Sequence, residues 1–87
     1  MVTRDDILRE AGEVISGARQ ETYGDAEQSH GRIAQMWSAY LGVNVTACDV
    51  AAMMVLMKVS RSKGKPHKDN WVDICGYAAL AGEMESE

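Results

Sequence analysis

Eighty-seven residues, 46% of them hydrophobic and carrying a formal net charge of −4, make one domain near the lower limit for an independent core. The apolar content is too high for a disordered chain, and the acidity argues against general binding to duplex nucleic acid. Much of that apolar content is alanine and methionine, with no phenylalanine, so a lone copy has little to build a core from and self-association is expected.

The first helix is expected over residues 3–20. Thr3 caps it, and Asp5 and Asp6 occupy its first turn, where the helix dipole favours anions. Ile7, Ala11, Val14, Ile15 and Ala18 recur at helical spacing. Tyr23-Gly24 ends this segment and Asp25 caps the next. The second helix runs to about Leu41, with Ile33, Trp37 and Tyr40 on one face and Gly42 as its stop. Thr46-x-x-Asp49 is a capping-box variant that opens the third helix. From Val50 to Val59 that helix is apolar on almost every side, which assigns it to the centre of the bundle or of an oligomer interface. Gly64 and Pro66 break it. The fourth helix starts near His67 or Lys68 and runs to about Met84. Its inner stripe is read as Trp71, Ile74, Cys75, Ala78 and Ala81, with Gly76, Ala79 and Gly82 small enough for close approach of another helix. Trp37, Tyr40 and Trp71 are read as core.

The alternation of a strand is absent, so the fold class is all-α: residues 1–87 form a four-helix bundle assembled as a homo-oligomer. No stretch reads as a signal peptide or reaches transmembrane length, so no membrane contact is expected and the chain reads as cytoplasmic. Cys48 and Cys75 lie in apolar helical contexts without a paired motif and read as reduced, shielded thiols.

The turn between the last two helices carries the densest chemistry. Lys58 and Arg61, at i, i+3, share one helix face, while Asp69 and Asp73, at i, i+4, share a face of the next. Folding the loop back brings the two faces together as a polar seam. That seam is either an ion-pair network, with Asp73 held by Arg61 or Lys58, or a site for an anionic ligand. Arg61 has the planar fork that suits phosphate or carboxylate. Lys63, Lys65 and Lys68 read as solvated cations that add only long-range attraction. Glu10-x-x-Glu13 puts a second acid pair on the first helix. Together Glu10, Glu13, Asp69 and Asp73 are the candidates for holding magnesium and for catalysis, against a plain reading of the first two as surface acids. Tyr23 and Tyr77 are candidates for stacking on a base. His67 reads as a helix-start residue and His30 as a packed one.

The order Tyr23-Gly24, Trp37, Lys58-x-x-Arg61, Asp69, Asp73-Ile74-x-Gly76-Tyr77 resembles a group of small phage and bacterial domains of unknown function of the nucleotide-modification-associated type. The resemblance spans about residues 19–81, through scattered single positions. Such proteins look distantly similar to the all-α, MazG-like nucleotide pyrophosphatases, helical oligomers that use clustered acids and magnesium to release pyrophosphate. In that likeness Glu10-x-x-Glu13 matches the first acid pair. Asn70-x-x-Asp73 matches the second, with Asn70 in place of an acid and a longer gap between the pairs than the pyrophosphatases have. The resemblance therefore implies nucleotide binding more directly than hydrolysis. The expected function is binding of a nucleotide or nucleotide-derived ligand in the host cytoplasm, with magnesium-dependent pyrophosphohydrolysis as its sharper form. The alternatives are a non-catalytic phage protein that sequesters a nucleotide immune signal and a structural oligomeric module.

Overall fold

A computed structural model describes residues 1–16 and 26–86, and all its regular structure there is helical. Among the described residues four helices follow one another: α1 (Arg4–Ser16), α2 (Ala26–Leu41), α3 (Ala47–Gly64) and α4 (Lys68–Glu85). The expected end of the first helix, Gly24 as its stop, Asp25 as the next cap and Tyr23 lie outside the described residues.

Several of the described helix ends have a local cause. Thr3 and Asp6 exchange two bonds at the head of α1: the Asp6 amide donates to Thr3 Oγ1 (3.2 Å) and the Thr3 amide to Asp6 Oδ2 (3.0 Å). The Thr3 amide on the Asp6 carboxylate first, then the Thr3 hydroxyl, hold that carboxyl below its usual range, with Arg9 adding to them. Thr46 and Asp49 repeat the device at α3, with the Asp49 amide on Thr46 Oγ1 at 3.1 Å and the Thr46 amide on Asp49 Oδ2 at 2.9 Å. After Leu41, Gly42 takes a positive φ of 75°, a conformation that costs glycine nothing, and its amide returns to the Ser38 carbonyl. The Ser38 hydroxyl both accepts from the Val45 amide (2.8 Å) and donates to the Val45 carbonyl (3.1 Å), tying this loop onto α2.

α3 and α4 form an antiparallel hairpin whose register is marked at both ends. Lys58 meets Asp73 near the turn, and Cys48 Sγ lies 3.6 Å from the Ala81 carbonyl at the far end. α1 packs against α4, and α2 packs mainly against α3. Where α1 crosses α4, Gly76 is buried, and a Cβ there would stand 3.2 Å from Ile15 Cγ2. Of the three small residues expected to admit another helix, Gly76 does so, whereas Ala79 and Gly82 are exposed and a Cβ at Gly82 would meet nothing within 4 Å.

The core is thin. Its buried apolar members among the described residues are Ala11, Ala34, Val50, Ala51 and Val72. Val50 is the largest side chain buried completely.

Three expectations about the core change. Val72 and Gly76 are buried on α4, whereas Trp71 is half exposed and Ala78 is exposed. α4 is gripped on two sides, by α1 and by α3, so its contact surface is wider than one stripe, and at Gly76 the approach of α1 leaves little room for a side chain. Tyr40, on the last turn of α2, is 89% exposed, while Trp37 is half-buried. Within one chain α3 is not buried all round. Val50 and Ala51 face inward, while Met53, Leu56, Met57 and Val59 lie open, because α2 and α4 leave one side of α3 uncovered.

Candidate functional site

The α3–α4 seam is organised by one ion pair. Lys58 Nζ lies 2.8 Å from Asp73 Oδ2, with 13% and 21% of the two side chains exposed. Of the two cations expected to answer Asp73, it is Lys58 that does so. The reason lies in the helix geometry: Lys58 follows the apolar run of α3 on the side that faces α4, four residues after half-buried Met54. Its stem lies along the core while its ammonium reaches the edge. Arg61 is one turn further on, and Asn70 is one turn back from Asp73, so the antiparallel register sets Arg61 and Asn70 at the same level. Arg61 is exposed, Asn70 is half-buried, and among the described residues Arg61 pairs with no acid.

Deeper along α4, Tyr77 stacks on His30 of α2, with ring centroids 6.0 Å apart and planes at 28°. His30 is 94% buried, its relative exposure being 6%, and among the described residues its Nδ1 has no hydrogen-bond partner. Burial pushes its pKa below the ordinary value of 6.5. One face of Tyr77 is therefore already occupied, and the ring serves the contact between α2 and α4. Tyr23, the other aromatic candidate, lies outside the described residues.

The four candidate acids part company. Glu10 turns inward, and its Oε1 accepts from Lys68 Nζ at 2.9 Å, while its Oε2 is buried without a hydrogen bond. Glu13 points outward, 69% exposed, with Arg9 Nε 3.9 Å away. Asp73 is held by Lys58, and Asp69 stands exposed beside His67. Among the described residues no group of three or more His, Cys, Asp or Glu side chains gathers as a metal site. Within one chain the four acids stand apart, Glu10 and Asp73 each answered by a lysine.

Lys68 corrects its reading as a merely solvated cation. It bridges α4 to α1 through Glu10, and that hydrogen bond raises its pKa above the ordinary lysine value. The signal was in the spacing: Lys68, Val72 and Gly76 recur every four residues, on the side of α4 that α1 covers. His67 acts as the helix-start residue it was read to be, its Nδ1 accepting from the Asp69 amide at 3.0 Å. A nitrogen accepting that bond carries no proton, so its 3.6 Å approach to Asp69 Oδ2 is not an ion pair in this state. Cys48 and Cys75 are free thiols, both half-buried.

The family model described as a domain of unknown function (DUF6378) matches residues 6–85. Two proteins, each called Gene 55 protein, are similar to the chain. That of Mycobacterium phage L5 is 47% identical over 81 residues, covering 91% of this chain and 52% of its own length. That of Mycobacterium phage D29 is 37% identical over 84 residues, covering 95% and 56% respectively. The chain thus spans about half the length of these curated relatives. No solved structure matches it.

Proposed function

The chain belongs to the DUF6378 family, and from the α3–α4 seam we propose that it binds a small phosphate-bearing ligand, a nucleotide or nucleotide derivative, as a homo-oligomer in the host cytoplasm. One observation carries the reading: Arg61 is an exposed guanidinium at the mouth of the seam, with Asn70 level with it and Lys58 one turn below. A guanidinium grips phosphate through two parallel N–H bonds, and an amide adds a donor or an acceptor for a base or sugar edge. Lys58 contributes mainly through the field, since its ammonium is committed to Asp73. Asp73 in turn holds Lys58 in place beneath the mouth.

Capture without chemistry is the form we favour. Hydrolysis in the manner of the MazG-like enzymes needs acids gathered around magnesium, whereas here Glu10 and Asp73 are each answered by a lysine. A second reading, a structural assembly module, is favoured by the open apolar side of α3.

Calorimetric titration of a panel of nucleoside mono-, di- and triphosphates and cyclic nucleotides, with and without magnesium, tests the proposal. At least one should bind, and Arg61→Ala should weaken that affinity roughly tenfold or more, about 1.4 kcal/mol or more. Equal affinities for wild type and Arg61→Ala would remove the seam as the site. Release of pyrophosphate would restore the hydrolytic form.

A further inference from the structure

We propose that two copies of this chain pair through the open side of α3, antiparallel, about a two-fold axis passing beside Leu56. The inference rests on the self-association proposed above and is independent of the ligand. Leu56 is 68% exposed, and Met53 and Val59, three residues to either side, are exposed with it. Seven residues before Leu56 stands Asp49, and seven after it stands Lys63. A helix turns so that positions seven apart lie within about 20° of one line. Asp49, Leu56 and Lys63 therefore form one seam, flanked by Met53 on one side and Val59 on the other, with the charges about 10 Å from its centre at opposite ends.

This pattern selects the orientation. A parallel pair would set Asp49 against Asp49 and Lys63 against Lys63. The antiparallel pair sets each Asp49 against Lys63 of the other copy and Leu56 against Leu56, and it is self-complementary as a two-fold interface must be. Asp49 has an oxygen to offer. Its Oδ2 caps α3 through the Thr46 amide, and among the described residues no hydrogen bond engages its Oδ1. The areas agree. The single chain exposes 6192 Å², roughly 1,100 Å² more than a compact monomer of its mass would. A standard interface takes about 800 Å² from each partner.

The test is the mass of the whole chain in solution at micromolar concentration, by sedimentation equilibrium, for wild type, Leu56→Glu, Lys63→Glu and the neighbouring control Lys65→Glu. Wild type should be a dimer. Leu56→Glu should be a monomer with the helical circular dichroism of wild type, since Leu56 is not part of the fold's own core. Lys63→Glu should weaken association roughly tenfold or more, and Lys65→Glu should leave it within about threefold of wild type. A monomeric wild type would overturn self-association itself and hand the open face to another occupant. A dimer that survives Leu56→Glu would overturn this interface alone. A dimer lost with Leu56→Glu but indifferent to Lys63→Glu would overturn the antiparallel register.

Discussion

His30 shows how one side chain ties stability to pH in this protein. Its ring is buried against Tyr77 and, among the described residues, its Nδ1 has no partner, so a proton added there would sit in a buried site. Burial therefore lowers its pKa in the folded chain. The unfolded chain, with histidine near 6.5, binds the proton first as pH falls. The stability contributed by neutral His30 is thus fully present above about pH 6.5 and is lost as pH drops from there through the lower, folded value. Thermal midpoints measured from pH 7.5 to pH 5 should fall for wild type. For His30→Phe, which keeps a ring against Tyr77, the fall in this range should be shallower. Parallel curves would show that the acid sensitivity arises elsewhere. Lys58 and Asp73 work differently: each is desolvated only in part, and each answers the other at 2.8 Å. Such a pair contributes little net stability, yet either member left alone is costly, and this fixes the register of the seam on which Arg61 stands.

At the scale of the helices, α4 is the element the others share. α1 lies on its Lys68–Val72–Gly76 side and α3 on its Asp73 side. The α1 contact depends on the missing side chain at Gly76, 3.2 Å from Ile15 Cγ2 when a Cβ is built there. Gly76→Leu should force the two helices apart and cost about 1–3 kcal/mol, the usual penalty for overpacking, despite leucine's better helix propensity. Urea denaturation measures it, and a variant as stable as wild type would mean that α1 yields freely. The helix boundaries were legible in advance because they depend on neighbours in sequence: Thr46 with Asp49, Gly42 after Leu41, Gly64 and Pro66 after the apolar run. The facing of α4 was not legible. Trp71 is the more hydrophobic-looking choice for an inner position, but Val72, in step with Lys68 and Gly76, lies on the side that α1 covers, and Trp71 is left half exposed.

The whole molecule is held by little. Among the described residues its buried apolar side chains are three alanines and two valines, while Met53, Leu56, Met57 and Val59 face outward from a single copy. A chain of this size is already marginal by surface and volume. Covering that face would link folding to association, so the thermal midpoint should rise as protein concentration is raised a hundredfold. A midpoint independent of concentration would indicate that the monomer stands alone. Among the described residues no helix is long and apolar enough to cross a membrane.

By itself the sequence determined that the described residues are helical, where α3 and α4 begin and end, and that ion-pairing side chains gather at the turn between them. These follow from capping residues, glycine, proline and short-range spacing, all of which act within a few positions along the chain. Only the tertiary structure decided that Lys58 rather than Arg61 takes Asp73, and that Lys68 reaches Glu10 on α1. Only it showed that His30 covers a face of Tyr77. Each of these depends on how far a side chain reaches across a helix crossing and on which side of a helix a neighbour happens to cover. Periodicity names a face, but the face becomes a partner only when packing brings another helix against it.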